Sequence, residues 1–224
     1  DGEKLNLAKL LAGSEGTLAF TTEIKLNLVD LPPSNKALVC VHLDSVSDAL
    51  YANLIALKFN PVSVELMDKA VIDLTKGNRE QNKNRFFVKD DPGAILIVEF
   101  AEETQYLIDE KTEKMEKEMI SKGFGFHFPV ITGNNISRVW ALRKAGLGVL
   151  SNMPGNSKPV PVIEDTAVRP EDLPEYIKEF DKILSKYKLS CVYYAHIGSG
   201  ELHLRPVMNL KDPEHIKLFR ILGL

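Results

Sequence analysis

The stretch from Cys191 to Val207 constrains the fold of this chain more than any other. Cys191-Val192-Tyr193-Tyr194-Ala195 reads as a strand running into a Gly198-Ser199-Gly200 turn. Leu202-His203-Leu204-Arg205-Pro206-Val207 reads as the strand running out, and the two glycines permit the positive φ that a tight connection demands. Such a hairpin brings His196 and His203, seven residues apart, to one end of a sheet facing a common space. Neutral imidazole is the commonest protein ligand for zinc and similar metals, and a catalytic site needs only three protein ligands. Two are present here. The competing reading is a pair of satisfied polar residues, since no cysteine completes a structural-zinc spacing.

Composition narrows the classes. The 224 residues, 44% of them hydrophobic, can bury a sizeable core. A charged fraction of 26% and a net charge of −3 argue against a nucleic-acid partner, which leaves a basic excess. No apolar run approaches the roughly 20 residues that span a bilayer, and the first residues lack the pattern of a signal peptide. Cys40 and Cys191 both fall in apolar, strand-like runs. Buried thiols in a reducing compartment are therefore expected, which places the protein in the cytoplasm or peripherally at a membrane.

Taken in order, the chain first shows Gly13-Ser14-Glu15-Gly16-Thr17, a turn that offers N–H groups and hydroxyls to a phosphate or a planar cofactor edge, with an ordinary turn as the default. Phe20 to Leu28 alternates at a strand's period of two, and Leu31-Pro32-Pro33-Ser34-Asn35-Lys36 reads as a domain boundary. A strand-then-helix theme then repeats three times. Ala37–Leu43 is a nearly continuous apolar strand, and Ser45-Val46-Ser47-Asp48 is a capping box for a helix reaching about Lys58. A second helix is expected from Ser63 to Lys76, then a polar loop from Asn78 to Asp91. Ala94–Phe100 is the next strand, followed by a helix from Thr104 to Lys122 with a solvated face of Glu110/Lys114 and Glu113/Lys117 pairs. Phe124–Ile131 reads as a strand carrying a structural His127. Val160–Asp165 and a helix through Tyr176, Ile177, Phe180 and Leu184 form the third unit. These patterns predict an α+β fold, a ferredoxin-like antiparallel sheet with helices packed on one face, and not a doubly wound parallel sheet.

In Asn135 to Gly146, residues Ile136, Val139, Trp140 and Arg143 share one helical face. Arg143 thus points where a core should be. A buried guanidinium needs an anion, either a protein carboxylate or a substrate carboxylate gripped bidentately.

Gly13-Ser14-Glu15-Gly16-Thr17-Leu18, Trp140-Ala141-Leu142-Arg143-Lys144, Glu164-Asp165-Thr166-Ala167-Val168 and His196-x-Gly-x-Gly-x-Leu-His203 occur in this order from near Leu5 to about Asn209. In that order and spacing the chain resembles FAD-linked oxidases and dehydrogenases of the vanillyl-alcohol-oxidase type, in the branch of D-lactate dehydrogenase, the glycolate oxidase large subunit and D-2-hydroxyglutarate dehydrogenase. The resemblance implies a larger flavoprotein whose FAD domain precedes Asp1. Residues 1–31 would be the end of that domain, with Gly13, Ser14, Gly16 and Thr17 against the flavin. Residues 32–224 would be the substrate-binding cap. His196 and His203 match the family's catalytic metal ligands for zinc or another divalent ion, and Arg143 matches its substrate-carboxylate arginine. The implied reaction is oxidation of a small 2-hydroxy acid, with hydride passing to FAD; histidine acting as the base is the alternative. Some relatives also have an iron–sulfur domain or subunit as electron acceptor.

Three departures from the family bear on the reading. Gly198-Ser199-Gly200-Glu201 replaces the usual Gly-Asp-Gly-Asn and sets Glu201 beside the histidines as a possible further ligand. The family's third ligand, a glutamate in a later Glu-His-Gly motif, would fall beyond Leu224. Val162-Ile163-Glu164-Asp165 lacks the lysine of the hydroxyglutarate branch, so a lactate- or glycolate-like D-2-hydroxy acid is expected. The chain alone is expected to hold FAD poorly and to be inactive. A different class stands against this reading: a self-contained α+β module that binds a metal or small anion without redox chemistry.

Overall fold

β1 (Asn35–Leu43) and β3 (Ala94–Glu102) pair antiparallel along their whole length at the centre of the sheet, from Asn35 opposite Glu102 to Leu43 opposite Ala94. Both are apolar at nearly every position, and successive side chains of a strand point to opposite faces. Each strand therefore needs cover above and below. Val39, Val41, Leu43, Leu96, Val98 and Phe100 enter one buried cluster, while Leu38, Cys40, Ile95 and Ile97 enter another. Side chains of this kind contribute roughly 1.5–3 kcal/mol each when fully buried.

The computed structural model describes residues 5–223, the side chain of Leu147 excepted, and the chain divides into two units, Asp1–Pro32 and Pro33–Leu224. In the second unit the order is β1, α2 (Val46–Leu57), β2 (Ser63–Asp68), α3 (Lys69–Leu74), β3, α4 (Gln105–Ser121) and β4 (Val130–Thr132). The strands lie side by side as β4-β1-β3-β2, all antiparallel, which is the ferredoxin-like arrangement. β7 (Cys191–His196) adds to β2, and β8 (Glu201–Met208) adds to β7. The short strands β5 (Lys158–Pro159) and β6 (Ile163–Ala167) both pair with β8. Among the described residues these eight strands form one sheet.

Helices cover both faces of that sheet, a correction to the expected single layer. α2, α4 and α6 (Leu173–Lys186) fill one cluster through residues such as Ala49, Ile55, Met115, Met119, Ile177 and Phe180. α3 and α5 (Asn135–Ser151) fill the other through Val71, Ile72, Val139, Leu142 and Leu150. The physical reason was visible in β1 and β3, whose unbroken apolar runs leave no face for water.

Three local expectations also change. Ser63–Asp68 is a strand and not the start of a helix, because Val64 and Leu66 face one core while Met67 faces the other. The helix begins only after Asp68, whose Oδ1 accepts the Val71 N–H at 3.0 Å. The strand expected over Phe124–Ile131 shortens to β4, with His127 making an isolated bridge to His42. Residues 78–91 are loop with a 3₁₀ turn at Gln81–Asn84, yet Phe87 is buried in the second core. The helix starts at Ser45 and Thr104 hold. Ser45 Oγ accepts the Asp48 N–H at 3.0 Å and donates to Asp48 Oδ2 at 2.7 Å. Ser45→Ala is expected to cost about 1 kcal/mol, measured as a lower denaturant midpoint.

The first unit contains α1 (Leu7–Ala12), capped by Asn6, and the turn that follows it. Phe20 to Leu28 forms no strand there, contrary to its alternation, because a strand exists only against a partner and the described residues of this unit supply none.

Candidate metal and anion site

β7 and β8 pair from Cys191 opposite Pro206 to His196 opposite Glu201, and the connection is a 3₁₀ turn at Ile197–Ser199 closed by Gly200 at φ +81°. Only Gly200 of the two turn glycines takes a positive φ. Gly198 is needed for close approach instead, since a Cβ there would lie 3.0 Å from the Val64 nitrogen.

His203 lies opposite Tyr194, two positions along from the His196–Glu201 pair, so the imidazoles are diagonal neighbours on one face. Their ring centroids are 5.3 Å apart and the rings meet edge-on. One nitrogen of each ring and a Glu201 oxygen lie within 4.8 Å of one another. Two imidazoles and one carboxylate are a donor set of the kind that catalytic zinc uses. The residues present fit a divalent metal, with Glu201 the carboxylate that joins both imidazoles, while Glu164 and Asp165 form a second such group with His203 alone.

The neighbouring strand adds a charge that the sequence reading missed. Glu65 on β2 places Oε1 2.8 Å from His196 Nδ1, and its Oε2 accepts from Arg143 NH2 at 2.7 Å. Arg143 is 6% exposed, so its anion is the protein carboxylate Glu65. Its guanidinium carbon lies 4.1 Å from the Tyr194 ring centroid, and Tyr194 in turn stacks on His203 with centroids 4.6 Å apart. Arginine, tyrosine and histidine thus form one stack, with His203 as its last ring. Arg143 Nε is buried without a hydrogen-bond partner. A ligand carboxylate is the kind of acceptor that donor lacks.

His203 has its own acidic neighbours. Its Nδ1 is 3.2 Å from Glu164 Oε2 and 3.1 Å from Asp165 Oδ1, and Arg205 NH2 is 2.7 Å from Glu164 Oε1. These are ion-pair distances without hydrogen-bond directions, for His203 Nδ1, Glu164 Oε1 and Arg205 Nε all lack a hydrogen bond of good geometry. Adjacent strand residues normally point to opposite faces. An irregularity in β6 between Ile163 and Thr166 turns both Glu164 and Asp165 toward His203.

A cleft of about 410 Å³ opens beside His196, lined by Ser63, Glu65, Gly198, Ser199 and Glu201 among others. The Gly13–Thr17 turn belongs to the first unit. Its hydroxyls donate back into the turn, Ser14 Oγ to the Leu11 carbonyl at 2.8 Å and Thr17 Oγ1 to the Ser14 carbonyl at 2.6 Å, while Gly16 at φ +75° has open space around its Cα. Glu65, Tyr194 and Arg205 are neighbours of the candidate site that the sequence did not single out. The one available signal for Glu65 was a lone carboxylate in an otherwise apolar Val64-Glu65-Leu66-Met67 run.

Fold and site together define an α+β domain in which two imidazoles and a carboxylate converge beside a buried guanidinium. The chain belongs to the family described as FAD linked oxidases, C-terminal domain, which it matches over residues 32–222. It is 36% identical to the D-2-hydroxyglutarate dehydrogenase of Haemophilus influenzae and 33% identical to that of Escherichia coli K12. Those matches cover 98% and 94% of this chain but 22% of each relative, so the chain spans about a fifth of their length. Glycolate oxidase subunit GlcD of Bacillus subtilis is 24% identical over 95% of this chain and 43% of the relative. Among solved structures, 4-ethylphenol oxidase from Gulosibacter chungangensis superposes with a TM-score of 0.55 at 14% identity, covering 85% of this chain and 43% of that one. At that identity the likeness is one of fold.

Proposed function

We propose that this chain is the substrate-binding part of a flavin-dependent dehydrogenase that oxidises a small D-2-hydroxy acid to the 2-oxo acid. The observation that carries the reading is the convergence of His196, His203 and Glu201 beside Arg143. The substrate C2 loses a hydride and its hydroxyl loses a proton, which passes to water in the cleft when both histidines hold a metal. FAD, when bound, supplies the hydride acceptor, and a divalent metal would polarise the hydroxyl oxygen. On this reading His196, His203 and Glu201 hold the metal, and the Arg143 Nε–H takes the substrate carboxylate while NH2 stays on Glu65. Without a metal, His196 is the ring open to solvent and able to accept the hydroxyl proton. Gly13, Ser14, Gly16 and Thr17 would meet the flavin, and an iron–sulfur group elsewhere in the protein would take the electrons onward. The relatives' names support 2-hydroxy acids as a class, and the choice among lactate, glycolate and 2-hydroxyglutarate is for experiment.

The test is the visible spectrum of the protein with its flavin domain, recorded anaerobically before and after adding each of these three acids. Bleaching of the flavin is expected with at least one, and His196→Ala or Arg143→Leu should slow it by about 100-fold or more. A flavin left oxidised by every hydroxy acid would refute the reading.

A further inference from the structure

We infer that Glu65 is a positioning residue that sets which nitrogen of His196 faces the cleft. His196 Nδ1 and Glu65 Oε1 are 2.8 Å apart, and an ionised carboxylate only accepts, so Nδ1 carries the proton. Nε2 is then the nitrogen with a free lone pair. Glu65 keeps this orientation because its other oxygen is held by Arg143 NH2 at 2.7 Å and its side chain is 12% exposed. A single carboxylate thus joins the imidazole on β7 to the guanidinium on α5, with β2 as the fixed support. Outer carboxylates of this kind fix ring orientation and raise ligand basicity.

His203 is built differently. Glu164 and Asp165 both approach its Nδ1 at 3.1–3.2 Å, neither along a hydrogen-bond direction. Its orientation has two carboxylates behind it and the Tyr194 ring against its face. The His196 ring depends on Glu65 alone among the described carboxylates at its Nδ1.

The difference makes a sharp prediction for Glu65→Gln. Arginine has only donors, so the new amide oxygen turns to Arg143 and the amide NH2 faces His196 Nδ1. Nδ1 must then accept, and the proton moves to Nε2, where it blocks a metal. The first readout is the long-range ¹⁵N–¹H spectrum of the histidine rings in the metal-free, 224-residue chain in mildly alkaline buffer. Wild type should show His196 with its proton on Nδ1, Glu65→Gln should show it on Nε2, and Glu65→Asp, which keeps an acceptor, should restore the wild-type form. The second readout is Zn²⁺ titration, where Glu65→Gln should bind about 10–100-fold more weakly than wild type.

This inference deepens the metal reading, and the two can fail separately. A wild-type His196 protonated on Nε2, or a Glu65→Gln variant with the wild-type tautomer, would overturn the role of Glu65 whether or not zinc binds. Failure of wild type to bind Zn²⁺ with the predicted tautomers intact would overturn the metal reading and leave Glu65 setting the ring. Should Glu65→Gln not fold, the wild-type and Glu65→Asp spectra still decide the matter.

Discussion

Gly200→Ala is expected to destabilise the chain by about 3 kcal/mol or more and to disrupt the proposed metal site with it. Gly200 closes the turn between the two histidines at φ +81°, where an L side chain costs about 1 kcal/mol in backbone strain alone. The larger cost is steric. A Cβ at this position would lie 1.8 Å from the Val168 carbonyl oxygen, and that backbone atom cannot rotate out of the way. The Gly200 carbonyl also accepts the Val168 N–H at 3.1 Å, so any shift that relieves the clash breaks the contact joining β6 to the turn. Glu164 and Asp165 lie on β6, and His203 lies three residues after Gly200, so the site distorts with the turn. Gly77→Ala is the control: Gly77 is exposed with open space around it, and its change should fall within about 0.5 kcal/mol. Urea unfolding of the two variants checks the prediction, and equal midpoints would refute it.

The second large effect is a pair of opposed pH dependences. His42 is fully buried on β1, with Nδ1 2.8 Å from the Cys40 carbonyl and Nε2 accepting the Lys89 N–H at 3.2 Å. Burial pushes its pKa down to about 4 against the pull of the Cys40 carbonyl, and nearby His127 lowers it further. A proton on Nε2 would also face the Lys89 N–H. The unfolded chain takes up a proton near pH 6.5 that the native ring refuses, so about 3 kcal/mol of stability is lost as pH falls from 6.5 to 4. Asp68 acts in the other direction. Burial pushes its carboxyl up to about 6, although Tyr193, Val71 and Ala70 N–H groups hold the ionised form. Its contribution is fully present below the unfolded value of 3.8 and is lost as pH rises through 6, again by about 3 kcal/mol.

Over the same window the two contributions offset one another in the wild type. Asp68→Asn removes one of them. The variant pays a constant cost, because an amide NH2 would oppose the Tyr193 N–H that Oδ2 now accepts at 2.8 Å. Relative to wild type it should then lose a further amount of about 3 kcal/mol between pH 6.5 and pH 4, with the other carboxylates cancelling in the comparison. Unfolding free energies of the two proteins across this range provide the measurement. Parallel curves would show that Asp68 titrates normally in the native state.

What lay close together in the chain was legible. The Ser45 and Thr104 helix starts, the Glu110/Lys114 and Glu113/Lys117 pairs and the histidine hairpin all rest on neighbours within a few residues. The same logic misled at Ser63–Lys76, where helix propensity at the C-terminal half concealed a strand at the other. It misled again at Phe20–Leu28, where alternation marks a strand that needs a partner to exist.

For the candidate site, the spacing in the hairpin was enough to place His196 and His203 side by side, because a tight turn brings positions on either side of it together. Arg143 could be identified as a cation aimed into a core, but its anion could not be chosen. Glu65 lies 78 positions from Arg143 and 131 from His196, and the three meet only because β2 lies beside β7 and α5 crosses that face. Pairing between strands so distant in sequence is set by which apolar surfaces bury together across the whole unit. Local pattern therefore brings the two imidazoles together, and packing chooses the charges beside them.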